Sequence, residues 1–160
     1  MAEFSSLPLK YRAYMAVYRW RRIDPVPWAE LRRPLASARV ALVTSAGFYR
    51  PGIDEPFRRI TGGDSSFRAL PDDVDPRSLV LGQISDSFDH GPATADPNVA
   101  FPLPWLHQMA AAGEIGESAP RHLSFNGSIT APERLVRDTG PRAAQLLVQD
   151  GVDAAVLVPI

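Results

Sequence analysis

There is no cysteine among the 160 residues of this chain. That absence excludes disulfides, thiolate catalysis and cysteine-ligated metals within this stretch. Long apolar runs are missing too. None approaches the roughly 18–20 residues of a membrane span, and the first residues lack the apolar segment of a signal peptide. Charge of one sign is not in excess. The formal net charge is -1, which gives no global pull toward nucleic acid or an anionic bilayer. The expectations are therefore no nucleic acid, no membrane and a cytoplasmic location. Histidine is scarce at three residues, with no H-x-x-x-H pair and no Ser-His-Asp frame that spacing can establish. The dinucleotide fingerprint G-x-G-x-x-G is absent as well, and no cofactor and no metal are expected. Internal repeats and low-complexity tracts are also lacking.

What is present suits one globular domain. Apolar residues make up 45% of the chain and charged residues 22%, and the length allows a buried core. Sixteen prolines are about twice the usual number and imply long, stiff connections. The organisation expected is a single α/β domain over 1–160. Residues 1–34 supply an N-terminal helix and a proline-rich connection, and 35–160 the sheet core.

Tyr11, Tyr14, Met15 and Tyr18 recur at helical spacing and predict an amphipathic helix over 8–22, with Lys10, Arg12 and Arg19 on its other face. Arg39-Val40-Ala41-Leu42-Val43-Thr44 reads as a central parallel strand, apolar on both faces. Residues 48–77 read as one long loop, and a loop of that length is more often functional than idle. A second strand is expected over 78–85, a polar loop over 86–102, and a helix over 103–112 closed by Gly113. His122–Asn126 is expected to be extended. Thr130, Pro132 and Glu133 mark the start of a helix to Gln149, bent near Gly140-Pro141. Gly151 ends it, and Val152–Val158 is the last strand. Strands alternating with helices predict a three-layer, mostly parallel, Rossmann-like sheet. Because the last strand coincides with the end of the sequence, a C-terminal strand and helix are expected to be missing.

In open α/β sheets, ligands gather beyond the carboxyl ends of the strands. Thr44-Ser45-Ala46-Gly47 lies there and can offer backbone N–H groups to a carboxylate; the alternative is a plain β-turn. Thr61-Gly62-Gly63-Asp64-Ser65-Ser66 lacks the Lys-Ser/Thr ending of a phosphate loop and reads as a polar turn. Ser85-Asp86-Ser87-Phe88-Asp89-His90 follows a predicted strand. Asp86, Asp89 and His90 can act as acid and base or bind metal. The frame is similar to H-x-H-x-D-H of metallo-β-lactamase-like hydrolases, but serines replace two of its histidines. An Asp-rich loop whose carboxylates cap backbone amides is the alternative. His122 can shuttle protons near neutral pH, with Phe125 and Asn126 shaping a pocket, or it can be a satisfied core histidine. His107 reads as a surface residue.

An ordered set of blocks carries a resemblance. It comprises Pro27–Leu35, Ala38–Gly47, Gly63–Arg68, Asp89-His90, Asp96–Leu103, Gly113–Gly116 and Asp150–Ala154. Together they resemble the selenoprotein B family of glycine, sarcosine, betaine and D-proline reductases, in its short stand-alone branch. The likeness runs from about residue 27 to Ile160. It implies an oxidoreductase that reductively cleaves a C–N bond in a small amino-acid-like substrate, with a dithiol as electron source. The family's redox residue is a selenocysteine or cysteine placed right after the strand corresponding to Val152–Ile160. A selenolate suits that role because it is ionised and nucleophilic at neutral pH. This sequence stops just short of that position. A UGA codon read as a stop, a trimmed chain or a naturally short paralogue would each give that ending.

The catalytic candidates are thus Asp89, His90 and His122, and the substrate-binding candidates Thr44, Ser45, Gly47 and Asp86. A non-catalytic subunit or small-molecule binding module, acting with a thiol- or selenol-bearing partner protein, is the alternative. A metal-dependent hydrolase built on Asp86, Asp89 and His90 is the third reading. An unfinished sheet edge favours pairing with another chain, so a homo-oligomer is also expected.

Overall fold

A computed structural model describes residues 8–18, 22–85 and 88–160. Residues 1–30 and 31–160 form two compact units. In the first, helix α1 spans Leu9–Val17 and buries none of its residues. The tyrosines at helical spacing do meet: the Tyr14 and Tyr18 rings lie 5.4 Å apart. The predicted helix extended to Arg22; Arg19, Trp20 and Arg21 lie outside the described residues, and Arg22 is not helical.

The second unit is mixed α/β with a mostly parallel sheet. Strand β1 (Arg39–Thr44) is its centre. On one edge β1 pairs in parallel with β7 (Ala154–Val158), from Val40 opposite Ala154 to Thr44 opposite Val158. On the other edge it pairs with β5 (Glu117–Ser118) and then β6 (Arg121–Phe125), also in parallel. Strand β3 (Phe67–Pro71) runs antiparallel on the outside of β6. Val40, Ala41 and Leu42 are each at most 2% exposed. Burying a valine or leucine side chain is worth about 1.5–3 kcal/mol, so β1 is where the apolar sequence turns into stability. Val40 and Leu42 point into a core that holds Phe48, Leu70, Phe101 and Leu106.

The expected strand over 78–85 is corrected to two residues. Strand β4 (Val80–Leu81) pairs antiparallel with β2 (Phe48–Tyr49) in a separate ribbon. The reason is a close backbone approach. Gly82 N–H donates to Gly47 O at 3.0 Å, and a Cβ on Gly82 would stand 2.7 Å from that oxygen. The ladder ends there, and 82–85 becomes a loop. The long loop expected over 48–77 holds β2 and β3. Strand β3 escaped detection because its residues are half-buried without alternation and it ends in Pro71. Helix α2 (His90–Ala95) lies in the other predicted loop, and helix α3 (Leu103–Ala111) stands where it was expected.

Both helix-ending glycines behave as their positions predict. Gly113 and Gly151 have φ of 72° and 68°, the left-handed region open to glycine. In each case the next residue's N–H reaches back to close the last turn: Glu114 to Met109 O at 2.9 Å, and Val152 to Leu147 O at 3.0 Å. The helix before Gly151 is interrupted. Leu135–Thr139 is a π-helical turn, and Gly140 N–H bonds Leu135 O. Regular winding resumes as α4 (Gly140–Gln149). Pro141 supplies the cause, since it has no N–H to donate and crowds the preceding turn.

The amino end of β1 is held by charge. Asp153 accepts the Arg39 N–H at 2.9 Å and lies 3.2 Å from the Arg33 guanidinium. Asp150 receives a two-pronged pair from Arg121 at 2.5 and 2.6 Å, and Arg39 donates to the Asp150 carbonyl and to Glu117. The block Asp150–Ala154 therefore anchors the turn between α4 and β7 at the edge remote from the strand carboxyl ends.

Candidate functional site

The carboxyl ends of β1, β6 and β7 converge with the loop 82–85. Three of the predicted residues sit here: Thr44, Ser45 and Gly47. Thr44 is buried, and its Oγ1 accepts the Ala46 N–H at 3.1 Å. The Ser45 hydroxyl accepts the Ile160 N–H at 2.8 Å and donates to the Ile160 carbonyl at 3.2 Å. Gly47 has φ of 74°, and a Cβ there would stand 2.7 Å from Asn126 Nδ2. The turn was expected to offer N–H groups to an anion, but those amides are already engaged. Ser45 N–H donates to Val158 O at 3.2 Å and Gly47 N–H to Phe125 O at 2.7 Å, while Ala46 N–H serves Thr44.

Two neutral amides tie this edge together. Gln83 is 7% exposed. Its Nε2 donates to Ser45 O at 3.1 Å, and its Oε1 accepts the Ser85 N–H at 3.0 Å. Asn126 is 1% exposed, and its Nδ2 donates to Gly82 O at 2.7 Å. Its Oδ1 has no partner among the described residues. Gln83 was not among the predicted site residues, and Asn126 was expected only as a pocket-shaping group. An uncharged amide carries no periodic or charge signal. The only available sign was position: each lies near the carboxyl end of a stretch expected to be extended, 78–85 for Gln83 and 122–126 for Asn126.

His90 joins the network through the backbone. Its Nε2–H donates to Gln83 O at 2.9 Å, which places the lone pair of a neutral ring on Nδ1. The Phe88 ring meets it edge-on at 4.9 Å. Asp89 is exposed, and its Oδ1 caps α2 by accepting the Gly91 N–H at 3.0 Å. Asp86 lies outside the described residues. A cavity of about 260 Å³ opens beside the strand ends, walled by Val43, Ser45, Phe125, Asn126, Leu135 and Leu157. Its walls are almost wholly apolar.

His122 stands apart, two residues down the sheet. It is 0% exposed. Leu42 N–H donates to its Nδ1 at 2.9 Å, so the proton of the neutral ring is on Nε2, 3.0 Å from Asp72 Oδ1. The same oxygen receives His107 Nε2–H at 2.8 Å and the Ser118 hydroxyl at 2.5 Å. Burial pushes the His122 pKa below the ordinary histidine value, with the Asp72 hydrogen bond and charge opposing. Burial alone would raise the Asp72 pKa, but the bonds from Ser118, His122 and His107 outweigh it and hold it down. A ring with its proton on Nε2 has no lone pair there for a metal. Among the described residues, no three His, Asp or Glu side chains are grouped to share an ion.

The polar block Thr61–Ser66 folds on itself. Asp64 accepts the Arg58 N–H at 2.8 Å and the Ser66 N–H at 3.0 Å. Gly62 O accepts the Ala131 N–H at 3.0 Å. It is a locked turn, with its carboxylate turned to its own amides.

Among the described residues no helix is long and apolar enough to cross a membrane. No solved structure matches this chain. It is 32% identical over 136 residues to D-proline reductase subunit gamma of Acetoanaerobium sticklandii, covering 84% of this chain and 54% of that one. The chain thus spans about half the length of the curated relative it matches. The family model described as glycine/sarcosine/betaine reductase selenoprotein B matches residues 7–159. These matches place the chain in the glycine/sarcosine/betaine reductase selenoprotein B family.

Proposed function

We propose that this chain forms the substrate side of a reductase that cleaves a C–N bond in a small amino-acid-like compound of the glycine, sarcosine, betaine or D-proline class. The observation that carries the reading is one continuous network at the strand ends. Ser45 holds the Ile160 backbone, Gln83 holds Ser45, and the Gln83 carbonyl orients His90. The site therefore puts a titratable ring, an apolar cavity and the end of β7 within one connected patch. The sheet is read as part of a three-layer, Rossmann-like arrangement.

In the reaction, the C–N bond breaks, the carbon gains a hydrogen and the nitrogen leaves as an amine with a second hydrogen. A dithiol supplies both hydrogens and two electrons and becomes a disulfide. With no cysteine in the sequence, the thiol or selenol is assigned to a group brought up to the Ile160 edge. The cavity takes the carbon skeleton, and Asn126 Oδ1 accepts a substrate N–H where the substrate has one. His90, with Asp89 beside it, takes one of the dithiol's protons on Nδ1 and passes it to the departing amine. The alternative is a binding subunit that presents substrate to a thiol-bearing partner; a relative that is itself a subunit supports it.

The test is co-purification of the chain with thiol- or selenol-containing proteins, followed by substrate-dependent dithiol oxidation with the four candidate substrates. Oxidation that falls at least about tenfold in His90→Ala matches a general acid. Oxidation that needs the chain but ignores His90→Ala points to the binding subunit. No oxidation with any of the four, despite a captured thiol partner, sinks both readings.

A further inference from the structure

Strands β5 and β6 together form one broken partner for β1. Ala119 N–H donates to Val40 O at 2.9 Å, as a ladder should. The ladder's next bond would run from Leu42 N–H to Ala119 O, but the register slips by two residues there: Val40 stands opposite Ser118 and Val43 opposite Leu123, while Pro120 O accepts the Asp72 N–H at 3.1 Å. Leu42 N–H is then left facing the break, and the His122 ring fills it, with Nδ1 at 2.9 Å in place of a backbone oxygen. A buried N–H without an acceptor is costly, so this ring nitrogen stands in for the ladder. Regular pairing resumes one step on, with Val43 opposite Leu123 and Thr44 opposite Ser124.

We propose that His122 is a proton-operated latch on the candidate site: a proton on Nδ1 turns the acceptor into a donor facing Leu42 N–H, parts β1 from β6, and loosens the carboxyl end of β6 while the β1–β7 edge holds. The regulatory meaning rests on the function proposed above, since Asn126 lies just beyond the latch on β6. Proton entry has a path. His107 and Asp72 are partly exposed, with side-chain exposures of 44% and 35%, and Asp72 touches both His107 and His122. The groups facing the ring are Asp72 after β3, Ser118 on β5, His107 of α3 through Asp72, and the Phe101 ring edge-on at 5.8 Å. Asp72 is the anion that would face the charged ring. Burial keeps the ring neutral at neutral pH, so the latch is closed there and opens on acidification.

Amide exchange and ring nitrogen shifts on the full, ligand-free chain test this. His122 is expected as the Nε2–H tautomer at neutral pH. As pH falls below the ordinary histidine value, Leu42 protection is expected to drop about tenfold, the scale of one lost hydrogen bond. The Ser45 amide donates across the other edge of the same strand, to Val158, and is expected to change less than about twofold over that range. His122→Asn keeps an acceptor near Nδ1 without a titrating ring, and is expected to abolish the drop. A neutral Nδ1–H tautomer, parallel loss at Leu42 and Ser45, or the same drop in His122→Asn would each overturn the proposal. If the variant does not fold, the tautomer and the two-amide comparison decide alone. None of this needs substrate or thiol, so the latch and the reductase reading stand or fall separately.

Discussion

The two ends of β1 are fastened by different chemistry. At the amino end, Arg33, Arg39, Arg121, Asp150 and Asp153 form ion pairs and charged hydrogen bonds. At the carboxyl end, Ser45, Gln83 and Asn126 make neutral bonds, mostly to backbone atoms. Fixed charges near a reacting group would bias its protonation and compete for a polar ligand. Neutral amides give rigidity without that interference. The difference separates a charged clamp from a neutral one.

Glycine 47 offers the largest way to break the comparison. Gly47→Ala at φ of 74°, against Asn126 and the Gln83 N at 3.0 Å, is expected to cost about 3 kcal/mol from strain and displaced packing. Urea unfolding measures it, and a loss under about 1 kcal/mol would mean that the carboxyl-end turn is pliable. Next comes Arg121→Ala, which strands the Asp150 carboxylate, only 9% exposed. A loss of about 2 kcal/mol is expected, less than a fully buried pair because Arg121 itself is 37% exposed. The sharper form of the same experiment adds salt. Screening should shrink the Arg121 effect and leave the Gly47 effect unchanged; equal salt dependence would erase the distinction between the ends.

Acid acts on the fold in two stages. The His122 pKa is lowered in the fold, so below 6.5 the unfolded chain binds a proton that the native chain resists. Stability present above that value is therefore lost as pH falls through the folded pKa. Asp72, Asp54 and Asp64 are also lowered from 3.8, so a second loss follows below that pH, with the same sign. Unfolding midpoints across pH, compared with His122→Asn, separate the first stage from the second; an unchanged first stage in the variant would assign it elsewhere. The smallest expected effect is Gln83→Ala. About 1 kcal/mol of stability is expected to go with its two bonds. The His90 ring should shift its nitrogen resonances more than any histidine at the other end.

Much of this was legible in the sequence wherever a pattern was strong. Residues 39–44 were readable because a strand buried on both faces leaves an unbroken apolar run. Gly113 and Gly151 were readable because a helix stop demands positive φ. Strand β3 was not, since half-burial blurs its alternation, and the 78–85 run misled because Gly82 ends its ladder through a contact 35 residues away in the chain, at Gly47. The place of Thr44, Ser45 and Gly47 at the carboxyl end of β1 followed from strand polarity alone. Gln83 did not, because its importance lies in which carbonyl it reaches. His122 stood open in one dimension between a proton shuttle and a satisfied core histidine; that its ring serves as a ladder acceptor follows from the register slip between β5 and β6, which no local pattern encodes.

The π turn before Pro141 has a consequence for how tolerant the cavity wall is. One extra residue wound into a helix rotates everything beyond it by about 100°. Leu135, on the cavity side of that turn, and Ala143, buried on α4, are thereby indexed independently. The turn behaves as a slip joint. Changes in the length or shape of the wall are absorbed within five residues and are not passed on to the helix that carries β7 into place.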